Sequence, residues 1–298
     1  MKILIVGFGN MGKSHFKSFL TSKKNYQIFI VDKKFRTKFE KIYKNKKIQY
    51  SPHIPKKNFF DLTIVATNSN ERYETIKNIT DNNKLKYLIL EKFLFNKANH
   101  YEKVKKISRN HKLKVMVNVW GKLILEPIIK KLNKKDILKI NITVKKGELL
   151  ANLIHFYDFI YCLLGKNFSL KSKNKINFIK SKRKGYAEGV FDLYSIKKPY
   201  ISIKNLNFIN YHMFEINLKN KIYKIKINYN GKCEYSLNNN RILEKKFTFS
   251  SLVTEKFFSR DFKNKKKIYF NNFNKISLLS LNIIKLLKKL SNKKICIT

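Results

Sequence analysis

Six residues near the start of the chain have the types and spacing of a phosphate cradle. Gly7-Phe8-Gly9-Asn10-Met11-Gly12 reads GxGxxG, directly after the apolar run Lys2–Val6 and directly before a segment of helical period. In such a loop the first glycine permits the tight turn. The second lets backbone approach a pyrophosphate, and the third lets helix and strand pack closely. The helix N-terminus then attracts phosphates through its unpaired N–H groups and its dipole. Asp32 ends the second apolar run, in IFIVDKK. A carboxylate there accepts from the ribose hydroxyls and repels a 2′-phosphate, so NAD(H) is favoured over NADP(H). Lys33 and Lys34 follow at once and could offset that repulsion, although lysines are frequent throughout the chain.

Other reactive types are scattered. Cys162, Cys233 and Cys296 lie far apart with no CxxC spacing. That argues against a disulfide framework or a thiolate zinc site and fits a reducing cytoplasm. His53, His100, His111 and His212 have no metal-ligand spacing, so no metal is expected. No GxSxG or Cys/His arrangement points to a covalent nucleophile.

The elements that must position the loop can be read from periodicity. Apolar strands are expected at Lys2–Val6, Tyr26–Val31, Ile48–Tyr50, Asp61–Ala66, Lys86–Leu90 and Lys114–Val119. Between them lie helical patterns at Asn10–Ser22, Lys34–Lys44, from an N-cap at Ser69 through Asn78, and at Asn99–His111. Continuously apolar strands alternating with helices indicate a doubly wound parallel sheet of Rossmann type. After Trp120 the pattern changes. Ile137–Lys145 alternates, Leu149–Leu164 is an apolar helix closed by Gly165, and many short alternating stretches follow to Phe249. These indicate an α+β domain with a large, mainly antiparallel open sheet. The fold class is therefore α/β, with an NAD(P)-binding Rossmann domain at 1–119 and a substrate and oligomerisation domain at 120–298. A last amphipathic helix, 276–290, packs on one or other domain.

The chain has 298 residues, of which 43% are hydrophobic, enough to build two cores. No apolar run reaches the roughly 18–20 residues that span a bilayer, so membrane insertion is not expected. MKILIVGFGNMG lacks a small-residue cleavage site and reads as a buried strand, not a signal peptide. Lys and Arg total 66 against 19 Asp and Glu, a formal charge of +47. Only six of the 66 are Arg, and Lys, Asn, Ile, Phe and Tyr, all with AT-rich codons, are abundant. Basic residues are spread evenly, and Lys cannot make the bidentate base contacts of Arg. Codon bias explains this better than a nucleic-acid partner does, while the charge still favours an anionic small molecule.

Four motifs in order make the sequence resemble the Gfo/Idh/MocA oxidoreductases, the glucose–fructose oxidoreductase and inositol dehydrogenase group. GFGNMGKSH (Gly7–His15) is similar to the family's glycine loop. IVATNSNERY (Ile64–Tyr73) resembles its strand-four motif, with Asn68 in place of Pro and Arg72 near the usual His. LILEKF (Leu88–Phe93) resembles its EKP motif, with Phe93 in place of Pro. NLIHFYDFIYCLLG (Asn152–Gly165) resembles its His-containing helix. Beyond Gly165 only the general pattern of antiparallel strands is shared.

The resemblance implies hydride transfer to or from a secondary alcohol of a sugar, cyclitol or nucleotide-linked sugar, in a homo-oligomer built through the C-terminal sheet. It assigns the cofactor to Gly7, Gly9, Asn10, Met11, Gly12, Asp32, Ala66, Thr67, Asn68, Arg72, Glu91 and Lys92. Lys92 and His155 become the catalytic pair. Substrate contacts fall to Lys92, Lys122, Asn152, His155 and Asp158. The chemistry is coherent: a carbinol loses hydride only as its hydroxyl proton is removed, and an ammonium stabilises the developing alkoxide. The family often has Asp four residues before the His, and here that residue is Ala151. Asn152 could orient His155, and Asp158 at i+3 could fix its tautomer. Ala151 keeps three alternatives open: a biliverdin-reductase-like enzyme, an imine-reducing enzyme, or a non-catalytic nucleotide-sensing or nucleic-acid-binding protein.

Overall fold

A computed structural model describes residues 1–33, 47–165, 168–172, 174–179, 186–207, 209–228, 230–256, 258, 270–291 and 296–297. The helical pattern at Lys34–Lys44 lies outside the described residues. The chain forms two compact units, one of residues 1–119 and 249–278, the other of 120–248 and 279–298. The described residues of 249–278 therefore fall in the first unit, whereas sequence alone grouped this stretch with the second.

The first unit is built on β1 (Lys2–Val6), β2 (Gln27–Val31), β3 (Ile48–Ser51), β4 (Phe59–Val65), β5 (Lys84–Leu90) and β6 (Lys114–Val117). All six are parallel, in the order β6-β5-β4-β1-β2-β3. The helices α1 (Asn10–Leu20), α2 (Arg72–Asn82) and α3 (Asn99–Asn110) connect them. Ile3, Leu4 and Ile5 are fully buried, as expected for a central parallel strand covered on both faces. The order reverses between β1 and β4, and such a switch point opens a crevice at the carboxyl ends of the strands.

Register sets what meets there. Val6 pairs with Val31 on one side and Val65 on the other. Val65 pairs with Leu90, and Leu90 with Val117. Gly7, Asp32, Ala66, Glu91 and Asn118 therefore leave the sheet at one level. Ser69 is not the cap of α2, which follows Glu71 without a side-chain cap. The Ser69 hydroxyl instead accepts from Asn96 Nδ2 at 2.7 Å.

In the second unit, α4 (Gly121–Leu125) precedes β7 (Ile137–Lys145), and α5 (Leu149–Leu164) follows it. Then come β8 (Asn177–Ile179), β9 (Glu188–Val190), β10 (Leu193–Tyr194), β11 (Tyr200–Leu206), β12 (Tyr211–Leu218), β13 (Ile222–Asn228), β14 (Lys232–Leu237) and β15 (Asn240–Lys246). Seven strands form one sheet in the order β10-β11-β7-β12-β13-β14-β15, antiparallel except for the β11–β7 pair. Phe156 and Phe159 of α5 lie against Phe214 of β12, with ring centroids 5.9 and 4.7 Å apart. Gly165 closes α5 with a φ of +68°, the left-handed cap that glycine adopts most cheaply. In the first unit β16 (Asn271–Asn272) pairs antiparallel with β6, and it leads into α6 (Phe273–Leu290). Residues 273–278 of α6 belong to the first unit and 279–290 to the second.

Candidate functional site

The switch point holds a cleft of about 910 Å³. Gly7, Gly9, Asp32, Ala66, Thr67 and Asn68 border it, as do Lys33, His53 and Glu71. Each glycine has a distinct reason to be there. Gly7 has a φ of +90°, and a Cβ on it would meet the Ala66 carbonyl carbon at 2.8 Å. A Cβ on Gly12 would lie 2.0 Å from the Gly7 carbonyl oxygen, so the third glycine serves helix packing. A Cβ on Gly9 would meet nothing within 4 Å, so backbone here faces open space that a ligand can approach. Gly9 also precedes α1, whose first turn carries no acid to oppose an anion.

Asp32 is held in place: its Oδ2 accepts the Phe8 N–H at 2.5 Å. Lys33 pairs with Glu71 at 3.4 Å, both exposed, so its charge already has a partner outside Asp32. Thr67 Oγ1 is buried without a hydrogen-bond partner among the described residues. Open backbone at Gly9, the helix N-terminus, the fixed carboxylate and this unsatisfied hydroxyl fit a dinucleotide. Asn10 and Met11 begin α1 and, like Gly12, do not border the cleft.

Arg72 departs from the cofactor contact expected of it. It is 2% exposed and does not border the cleft. Its guanidinium donates to the carbonyls of Thr67, Phe93 and Leu94. Arg72 thus ties the loop after β4 to the turn after β5, supporting the cleft from beneath. That turn begins with Lys92, which is half-buried, and the Lys92–Phe93 peptide bond is cis.

Glu91 likewise does not border the cleft, because it points into a buried polar network. Its Oε1 lies 2.6 Å from His15 Nε2 and accepts from Asn118 Nδ2 at 2.6 Å. His15 Nδ1 is 2.6 Å from Thr254 Oγ1. Burial alone would raise the Glu91 carboxyl. The hydrogen bonds from His15 and Asn118 and the charges of His15 and Arg72 outweigh it and hold the carboxyl below its ordinary value. Sequence reading missed this network. His15 ends the glycine-loop motif, but its partners lie 76 and 239 positions away.

In the second unit, Lys122, His155 and Asp158 gather where α4 meets α5. Gly121 makes this possible, since a Cβ there would lie 2.4 Å from the His155 carbonyl oxygen. Asp158 is fully buried and its Oδ2 accepts the Lys122 N–H at 3.0 Å. His155 is 2% exposed and stacks on Trp120 with ring centroids 4.3 Å apart. The Trp120 N–H donates to His155 Nδ1 at 3.3 Å. A backbone N–H therefore faces Nδ1, so a ring holding one proton carries it on Nε2. Asn152 does not orient the ring through its amide nitrogen, which donates to the Glu148 carbonyl at 3.1 Å.

Residues 1–119 match the family model described as the Gfo/Idh/MocA oxidoreductase family, NAD-binding Rossmann fold. No curated protein matches the chain. Solved structures that share its fold over nearly the full length include the following three. An oxidoreductase from Bacillus cereus has 13% identity and a TM-score of 0.69, covering 96% of this chain and 95% of its own. Biliverdin reductase from Synechocystis sp. PCC 6803, in complex with biliverdin and NADP+, has 11% identity and a TM-score of 0.71, covering 98% and 99%. A super-repressor mutant of Gal80p from Saccharomyces cerevisiae has 15% identity and a TM-score of 0.70, covering 97% and 95%.

Proposed function

With its first 119 residues belonging to the Gfo/Idh/MocA oxidoreductase family, NAD-binding Rossmann fold, we propose that the chain binds NAD(H) in preference to NADP(H) and transfers hydride to or from a secondary alcohol of a sugar, cyclitol or nucleotide-linked sugar. The observation that carries this reading is the level exit of Gly7, Asp32 and Ala66 at the switch point, around backbone open at Gly9. Gly7, Gly9 and the N-terminus of α1 hold the pyrophosphate. Asp32 accepts from the adenosine ribose, and Ala66, Thr67 and Asn68 line the path beyond. When bound, the nicotinamide supplies or accepts the hydride.

The chain's own residues manage the proton and the charge. The Lys92 ammonium stabilises negative charge developing on the substrate oxygen. His155, with Nε2–H as its resting tautomer, donates a hydrogen bond to that oxygen. This suits carbonyl reduction. In alcohol oxidation the ring accepts a proton only by giving up the Trp120 N–H at Nδ1. Lys122 and Asp158 lie beside His155 in the second unit. A protein of this kind works in the cytoplasm and assembles as a homo-oligomer through the outer face of its large sheet.

Energy transfer to bound NADH and NADPH tests the cofactor step. NADH is expected to bind at least tenfold tighter, and no signal with either cofactor overturns the reading. Lys92→Ala is expected to lower kcat by about 10²–10⁴-fold.

A second reading, reduction of a C=N or C=C bond, is favoured by the same Trp120–His155 contact, because such a reaction needs no base at this ring. Turnover by His155→Ala separates the two. Loss of more than about 100-fold supports the carbinol chemistry, and unchanged turnover supports the second reading.

A further inference from the structure

We propose that the second unit binds a single-chain amphipathic anion in a cavity that the oxidoreductase reading does not use. The cavity, of about 780 Å³, is enclosed by the C-terminal half of α5, the Phe168–Lys171 stretch, the Ser195–Ile201 turn and residues 282–289 of α6. On α5 it meets Tyr157 and Leu164, seven residues apart and so on one helix face. His155, two residues before Tyr157, projects about 200° around the helix, toward Trp120. The cavity and the His155 cluster thus lie on opposite sides of α5.

The lining has two characters. Leu164, Phe168, Leu170, Ile196 and Leu286 make the walls apolar. Lys171, Lys197, Lys198, Lys285 and Lys289 surround them, and no carboxylate lines the cavity among the described residues. Lys198 lies over the Tyr200 ring, 6.0 Å from its centroid.

Tyr157 is an independent pointer. It is 2% exposed, borders the cavity, and packs against the lining residue Phe168 with ring centroids 5.0 Å apart. Burial raises its pKa, so the hydroxyl remains a donor.

This combination selects the ligand class. A cluster of lysines without acids attracts a compact anionic head, phosphate or carboxylate, as point charges rather than as a planar fork. The walls need an apolar body, which a fully solvated sugar phosphate does not offer. The volume falls within the range of sites that enclose small molecules, and it takes a chain of about twelve carbons with its head group.

Calorimetric titration of the full chain with dodecyl phosphate, below its micellar concentration and at 150 mM salt, tests the proposal. Saturable binding with one site per chain is expected, at least a hundredfold tighter than inorganic phosphate. Dodecanoate binding as well as dodecyl phosphate marks a head group read by charge alone. Much weaker dodecanoate marks a phosphate site. Both results support the proposal.

Lys285→Glu with Lys289→Glu is expected to weaken binding at least tenfold. Lys219→Glu with Lys221→Glu makes the same change in net charge, 47 − 4 = +43, at exposed positions away from the cavity, and is expected to change it less than twofold. Tyr157→Phe, folded by circular dichroism, is expected to weaken binding severalfold. Equal loss in both lysine pairs would mean bulk attraction and overturn the proposal. So would equal affinity for dodecyltrimethylammonium, or binding to anionic vesicles without binding to the monomeric amphiphile.

Discussion

The Glu91 carboxylate has His15, Asn118 and, further off, Arg72 acting on it in a site with almost no solvent. Breaking a buried pair of this kind costs about 3–5 kcal/mol, because the remaining partners keep their desolvation cost. Glu91→Gln is expected to lose most of that at pH 7 in urea unfolding. The sign with pH follows from the lowered carboxyl. Its contribution is complete above the unfolded value near 4.5 and fades as pH falls through the lower folded value. The gap between wild type and Glu91→Gln should therefore close in acid; a gap independent of pH would show that the carboxylate's charge is not what matters. Because Glu91 precedes Lys92, the same variant should lower kcat more than it raises KM.

Asp32 belongs to the same scale. Asp32→Ser removes the charge that opposes a 2′-phosphate, and is expected to shift the NADH to NADPH affinity ratio by about tenfold toward NADPH. An unchanged ratio would mean that Asp32 serves only to hold the Phe8 N–H.

At the scale of elements, β12 carries a titrating group into the core beside α5. Burial pushes the His212 imidazole down to about 4. Glu148 lies 3.5 Å away, but its carboxylate is a third exposed and the ring is not, so burial prevails and the ring is neutral at pH 7. A lowered His favours the fold above the unfolded value of 6.5, and that advantage is lost as pH falls toward 4. The shift corresponds to about 3 kcal/mol. His212→Gln should remove this acid sensitivity, seen as a flatter dependence of melting temperature on pH between 7.5 and 4.5.

Elements whose period was unbroken were legible from sequence. Leu149–Leu164 with its glycine cap is one such case, and the alternation of Ile137–Lys145 another. The start of α2 was not legible, because Ser69, the best capping type nearby, spends its hydroxyl on Asn96 and the helix begins uncapped at Arg72. Arg72 misled for a related reason: rarity in a lysine-rich chain marks a residue as special without saying whether it faces ligand or carbonyls. The cleft residues Gly7, Gly9 and Asp32 were readable because backbone chemistry dictates them locally. The Glu91 network was not, because β5–β6 register and the return of Thr254 create it.

At the scale of the whole molecule, the charge of +47 and the large sheet bear on how the protein meets its partners. A steered anion associates more slowly as salt rises, so the NADH association rate should fall about tenfold between 20 and 200 mM salt. The proposed self-association would use the outer face of the sheet, opposite Phe214 and Ile142. Alternation places Asn141, Ser202, Glu215 and Lys224 there, and they bond to one another, while Lys226 lies over the Tyr211 ring. Asn141 donates to Glu215 at 2.9 Å, Ser202 donates to Asn141 at 2.8 Å, and Lys224 lies 3.9 Å from Glu215. An assembly through this face buries charge, in contrast to the more apolar interfaces of most homodimers. Its affinity should therefore vary with salt, and light scattering is expected to report an oligomer whose mass changes between 50 mM and 1 M salt. Lys224→Ala with Glu215→Ala should then shift the mass at fixed salt. An oligomer indifferent to both would place the interface elsewhere.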